Sequence, residues 1–270
     1  MNEFGAPRDD ALEDIAYLSR SSNRVQLLET LADSPHTRSE LGDVTGASRT
    51  TLGRILAELE DRGWAERTVD GNYAATTRGE HVTREFTPLV EAMESIRDLG
   101  DAVNWLPSDE LSIGLQHFSD ATVIRSEPNA PMEMGRYHAE LLRDATHVHT
   151  LTYIGPPAAV GEAAYDGVVS GRLAAEHVMA GGLVDYIRDH PEEPPPWQEY
   201  IEAGARVYRY EGHIPCHLFI ADETVHLTKP ETDPSGAVIE STNETVREWA
   251  IGLIETYRED AQRVEGETFT

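Results

Sequence analysis

The sequence predicts an α+β chain in two parts: a mainly helical N-terminal domain ending in a hairpin, and an α/β C-terminal domain reached through a long helix. Three observations carry that prediction. Apolar residues recur at helical spacing, with capping signals between them, from Leu12 to Gly63. Asp70-Gly71 then separates two short strand-like segments. From Leu111 onward, strand-like and helical segments alternate, which implies a sheet covered by helices. A chain of 270 residues is long enough for two domains, each with its own core.

In order, Leu12, Ile15 and Leu18 mark a first helix. Val25, Leu28 and Leu31, with Leu27 alongside, give the apolar stripe of a second over residues 22–33. Ser34-Pro35 breaks the pattern. Thr37 opens a short third helix, with Glu40 three residues on as a capping box. Leu41 and Val44 face inward, and Thr45-Gly46 makes the turn. Ser48 caps a fourth helix with Leu52, Ile55, Leu56 and Leu59 as its buried stripe; Gly63 suits a left-handed end. Residues 64–69 and 72–76 flank Asp-Gly, the strongest short hairpin signal.

Helix, helix, turn, helix, hairpin is the order of a winged helix-turn-helix, assigned to residues 1–80. The stretch from Arg38 to Trp64 resembles archaeal winged-helix regulators. In this motif the start of the second helix of the pair enters the major groove of DNA. The candidate DNA contacts are Arg38, Ser48, Arg49, Thr50, Thr51 and Arg54, with Arg67, Asn72 and Tyr73 on the wing. Arginine can meet guanine bidentately; serine and threonine can meet phosphate or base edges. The alternative is a scaffold whose winged helix binds protein. A long helix over residues 77–103 follows, with Phe86, Leu89, Val90, Met93, Ile96 and Leu99 apolar and Pro88 as a candidate kink. Residues 81–105 are assigned as a linker that pairs two subunits, or as an ordinary core helix.

In residues 106–270, strands are expected at 121–126, 147–154, 173–179, 205–210, 215–221 and 224–228. Helices are expected at 132–143, after Gly181-Gly182 to Asp189, as a turn at 197–203, and at 243–263.

Charge sets the solvent. The chain carries 49 acidic residues and a formal net charge of −27, and Lys229 is the one lysine among 22 basic residues. Such a surface repels itself in dilute salt, and at molar salt a Debye length of about 3 Å screens the repulsion. The charge is spread along the chain, which favours a salt-in halophile over an acidic tail. Residues 34–81 are nearly balanced, with six arginines against eight acidic residues. No apolar run approaches a membrane span, and the first residues lack a signal-peptide pattern, so a cytoplasmic protein is expected. One cysteine, Cys216, excludes an internal disulfide and a Cys-rich zinc site.

The segment Pro215-Cys-His-Leu-Phe-Ile-Ala-Asp222 resembles the end of a phospholipase D-type repeat, in which a His-x-Lys pair precedes an Asp at a hairpin. Matching Asp222 puts His217 on the lysine and Pro215 on the histidine. Proline cannot act as a nucleophile or an acid. The resemblance therefore implies a phospholipase-D-like α/β fold without its chemistry, and no catalytic residue is assigned; a phosphodiesterase-like hydrolase is the disfavoured alternative. Winged helix plus such a domain is similar to archaeal TrmB-type regulators and to the methanogenesis filament-regulator family. That resemblance implies a DNA-binding transcription regulator, a homodimer, with a small-molecule effector such as a sugar or sugar phosphate. His149, Tyr153, His217 and Asp222 are the candidate ligand residues. Tyr153 precedes Gly155-Pro156-Pro157 at a strand end, where open α/β sheets place ligands. His147, His213 and His226 add histidines without a tight ligand spacing, so neither metal nor cofactor is expected.

Overall fold

The computed structural model describes residues 6–126, 133–191, 193, 195–228 and 237–269, with side chains from residue 9 onward. Lys229 lies outside the described residues. The chain divides into two compact units, Met1–Glu91 and Ala92–Thr270. Among the described residues no helix is long and apolar enough to cross a membrane.

The N-terminal unit holds α1 (Ala6–Ser19), α2 (Ser22–Asp33), α3 (Arg38–Thr45), α4 (Arg49–Asp61), β1 (Ala65–Arg67) and β2 (Tyr73–Ala75). Its local signals act as expected. Thr37 and Glu40 complete both halves of a capping box on α3. Gly46 takes a left-handed conformation (φ 61°) and turns the chain between α3 and α4. The Ser48 hydroxyl caps α4 by accepting from Thr51 N–H at 3.2 Å. Gly63, at φ 67°, ends the helix. Leu27, Leu31, Leu41, Ile55, Leu56 and Leu59 are buried together with Trp64. One pairing is non-local: His36 and Tyr73 exchange two backbone hydrogen bonds, 2.9 and 2.8 Å, which adds a bridge beside the wing. Val44 is 45% exposed and so departs from the expectation that it faces inward.

Helix α5 spans Thr77–Leu99 with Pro88 inside it. It stops short of residue 103, because Gly100 adopts φ 54° and a 3₁₀ segment, Gly100–Trp105, follows.

The second unit is built on an eight-stranded sheet in the order β10-β6-β5-β4-β7-β8-β9-β3. These strands are β3 (Thr122–Arg125), β4 (His147–Thr152), β5 (Ala174–Ala180), β6 (Arg206–Tyr210), β7 (His217–Ala221), β8 (Thr224–Thr228), β9 (Ala237–Ser241) and β10 (Gln262–Val264). β4, β5 and β6 run parallel; every other pairing is antiparallel. Helices α6 (Glu133–Asp144), α7 (Ala158–Val169), α8 (Gly181–Asp189) and α9 (Trp197–Glu202) pack with Val148, Val207 and Phe219 on one face. Helix α10 (Glu244–Glu259) packs with Leu151, Leu218 and Leu227 on the other. The sheet is thus the middle of three layers, and the strand period of two decides which layer each side chain joins.

Candidate functional site

In the N-terminal unit, α4 presents its first turn outward. Arg49 and Thr50 are exposed and Thr51 is half-buried, while Leu52, Ile55 and Leu59 turn into the core. The sequence-named residues do not share one role. The Arg38 guanidinium donates to the Arg49 carbonyl at 2.9 Å and crosses Gly53, where any Cβ would collide with it. Arg38 therefore ties α3 to α4. Ser48 is occupied as the cap of α4. Arg54 is exposed but pairs with Glu58 at 2.7 Å, which also receives Arg24 at 3.3 Å.

Tyr73 requires a correction. It is 7% exposed, belongs to the hydrophobic core of the unit, and carries the Arg67 guanidinium over its ring at 5.0 Å. A tyrosine on a short strand whose inward face meets the helices is a core residue, so it is not a wing contact. Asn72 is half-buried beside it, and its carbonyl accepts from Thr68 N–H. Val69, at the tip, is fully exposed and was not singled out by the sequence.

In the second unit, a cavity of about 200 Å³ lies between the sheet and the α6–α9 layer. Its walls are mostly apolar and include Phe219, Trp197, Val160 and Ile154. Gly155, Pro156 and Pro157, after the carboxyl end of β4, close part of it. The polar lining is His138, His177, His217, Thr150, Thr152 and Thr228, with Tyr200. No lysine, arginine or carboxylate lines the cavity among the described residues.

The histidines are held neutral. Burial, together with the neighbouring His226 and His217, pushes His138 down to about 3. Burial pushes His177 and His217 down to about 4. Two hydrogen-bonded chains fix the rings. The Glu240 carboxylate accepts from His226 Nε2–H at 2.7 Å, which leaves His226 Nδ1 to accept from His138 Nε2–H at 2.8 Å. His177 bridges the Thr150 hydroxyl at 2.8 Å and the Tyr200 hydroxyl at 2.9 Å. By contrast, His217 Nδ1 and Thr228 Oγ1 are buried with no partner. They are cross-strand neighbours on β7 and β8.

Of the four ligand residues named from sequence, only His217 lines this cavity. His149 on β4 and Tyr153, just past the strand's end, lie on the side that faces the α10 layer, opposite Thr150 and Thr152. Their grouping with His217 is thereby corrected: the strand period separates them. The His149 ring, with Nδ1 3.9 Å from the carboxylate, acts with Arg258 and Arg206 to hold buried Glu176 down at about 2. Asp222 is also elsewhere. At φ 49° it turns the β7–β8 hairpin, and its carboxylate accepts from Thr146 N–H at 3.1 Å and His147 N–H at 2.9 Å. It is a lock between the hairpin and the start of β4. His138, His177, Thr150, Thr152 and Thr228 were missed. Alternation along β4 is the signal that places the two threonines, whereas His138 and His177 become neighbours only through packing. Among the described residues no group of three or more His, Cys, Asp or Glu side chains is placed to hold a metal ion.

Comparison with known proteins adds an independent line. Residues 12–98 match the HVO_A0261 N-terminal domain, and residues 131–260 match the middle domain of the methanogenesis regulatory protein FilR1. No curated protein matches the chain. Among solved structures, TrmBL2, an archaeal chromatin protein described as showing a novel mode of DNA binding, aligns at 14% identity and TM-score 0.40, over 93% of this chain and 98% of its own. The phospholipase D family member nuc from Salmonella typhimurium aligns at 12% identity and TM-score 0.38, over 54% of this chain and 99% of its own. NucT from Helicobacter pylori aligns at 10% identity and TM-score 0.40, over 53% and 98%. The two domain matches follow one another along a single chain, so the chain is similar to an HVO_A0261 N-terminal domain followed by the middle domain of the methanogenesis regulatory protein FilR1.

Proposed function

We propose that the protein is a sequence-specific transcription regulator that places the start of α4 in the major groove of DNA and answers to a small molecule held in its second unit. One observation carries the DNA reading: Arg49 and Thr50 stand exposed at the first turn of a capped helix whose opposite face is buried. A rigid helix with free arginine and threonine at its N-terminus suits base-edge and phosphate contacts. Homodimer formation is part of the proposal. Leu89, Met93 and Ile96, 50%, 55% and 36% exposed, follow one another at four- and three-residue spacing along α5, and such a stripe suits a second copy. A halophilic setting fits the net charge of −27. A binding role without hydrolysis fits Pro215, which supplies no nucleophile beside His217.

The test is retardation of genomic DNA fragments by the full chain in molar KCl. A specific, competable shift is expected. Binding that ordinary competitor DNA abolishes would favour the scaffold reading instead. Because counterion release offers little at molar salt, the specific shift should rest on direct contacts and persist there. Circular dichroism melts across KCl concentrations test the solvent reading: the melting temperature should fall as the Debye length grows from about 3 Å to about 10 Å.

A further inference from the structure

The orphaned pair on β7 and β8 gives the cavity a chemistry. His217 Nδ1 and Thr228 Oγ1 are buried without a partner, side by side, and both residues line the same space. Buried polar atoms are ordinarily paired, so two on neighbouring residues of a cavity wall mark a place where a ligand, with a small turn of the two side chains, can complete the bonding. Each can accept a hydrogen bond, so the complement is a donor: a hydroxyl, which can also accept in return, or a ring N–H, which donates to one of the two.

The rest of the lining restricts the ligand further. With no arginine, lysine or carboxylate on the wall among the described residues, a phosphate, carboxylate or ammonium would enter without a counter-charge. A sugar, with hydroxyls on every side, would leave most of them against apolar walls. Aromatic rings are well placed: Phe219 stacks on His138 at 4.7 Å between centroids, and Trp197 lies on the wall. The volume of about 200 Å³ is of the same order as the engineered cavity of about 150 Å³ that takes up benzene. One or two fused rings fit that space.

We propose that this cavity binds an uncharged aromatic small molecule whose single polar group, a hydroxyl or ring N–H, is bonded by His217 Nδ1 and Thr228 Oγ1. The assignment deepens the effector reading of the second unit and rests on it. It replaces the sugar phosphate that family resemblance implies with a ligand the walls can pair.

The experiment is calorimetric titration and thermal melting of the full chain in molar KCl, with phenol and indole as probes and glucose and glucose 6-phosphate as controls. At least one aromatic probe should bind saturably and raise the melting temperature, while the two controls do neither. Thr228→Val and His217→Leu should each weaken probe binding about tenfold, the equivalent of about 1.4 kcal/mol. Neither should lower the melting temperature of the unliganded protein, because the atoms removed bond nothing in the chain. No saturable binding of either aromatic probe would overturn the proposal. So would binding of glucose 6-phosphate in their place, or a Thr228→Val protein that melts earlier yet binds the probe as before. Titration without DNA keeps this separate from the regulator reading, which fails only if the unmodified protein gives no specific DNA shift.

Discussion

Leu27, Leu41, Ile55 and Leu59 fill the centre of the N-terminal unit, while the cavity face of the second unit buries His138, His177 and His226 beside Leu142 and Phe219. Both units are closed structures, but they hide different chemistry. Neither histidine of the N-terminal unit is buried: His36 is half-buried and His81 exposed. An aliphatic core stabilises by removing apolar area from water and is indifferent to pH. A core with neutral histidines is stable only while they stay unprotonated. The difference teaches that the second unit's stability is tied to the protonation of its buried histidines, a condition the N-terminal core does not carry.

The largest expected effect separates the units by pH. His138 and His177 are pushed from 6.5 to about 3 and about 4 by burial, so between those limits the unfolded chain binds protons that the folded chain does not. Stability is therefore complete above about pH 6.5 and is lost as pH falls towards 4, on the order of 3 kcal/mol for each ring. Glu176, held down at about 2 from an ordinary 4.5, adds its own loss only as pH falls from about 4.5 towards 2, so most of the histidine effect comes first. Hydrogen exchange at molar KCl, stepped from pH 7 to pH 4 and corrected for intrinsic rates, should show β4, β5 and β8 losing protection while α2 and α4 keep theirs. Equal loss in both units would break the comparison.

Apolar truncation tests the other side. Leu59 is fully buried in the N-terminal core, and Leu59→Ala is expected to cost about 2–5 kcal/mol through lost transfer energy and the cavity left behind. Denaturant midpoints should show that cost unchanged between pH 7 and pH 5. A cost that varies with pH would mean that the N-terminal core also senses protons.

How much of each unit is legible in sequence follows the same division. The capping box at Thr37, the Ser48 cap and the Gly63 terminus are signals within a few residues of the structure they cause. The second unit depends on distant partners. Helix α7, Ala158–Val169, was not expected, because a run of alanine, glycine and valine buried on most sides carries no polar stripe. The helix expected to run to residue 263 stops at Glu259, and Gln262–Val264 pair with β6 instead. β9 was missed too; its pairing with both β8 and β3 is tertiary. For the ligand residues, the sequence finds the strands but does not show that His149 and Tyr153 lie opposite His217, since nothing local says which face meets the cavity.

Asp222 gives the next effect. Its carboxylate holds Thr146 and His147 while its backbone sits at φ 49°. Asp222→Ala removes the acceptors and leaves a strained backbone, a loss of roughly 2–3 kcal/mol. Asp222→Asn should lose less, because asparagine tolerates the left-handed region and keeps one acceptor oxygen. Thermal melts of the two variants check this. Equal losses would make the strain argument wrong, and loss of probe binding in Asp222→Asn without a stability change would return Asp222 to the ligand site.

The smallest changes in stability are expected at the surface of α4, where the effect should appear in DNA binding instead. Arg49 and Arg54 are both exposed, but Arg54 already pairs with Glu58 at 2.7 Å. An exposed pair of this kind contributes about 0.3–0.5 kcal/mol, so neither Arg49→Ala nor Arg54→Ala should shift the melting transition appreciably. Their effects on a specific DNA shift should differ. In the proposed reading Arg49 is at the turn that enters the groove, and losing a bidentate base contact there costs about 1–3 kcal/mol. Arg54 must break its pair with Glu58 to reach DNA, so part of what it gains there is already spent. Arg49→Ala should therefore weaken the specific shift more than Arg54→Ala, at matched salt and unchanged fold. Glu58→Gln, which frees Arg54, should strengthen binding slightly. If neither arginine variant alters the affinity, α4 is not the reader and the N-terminal unit has another partner.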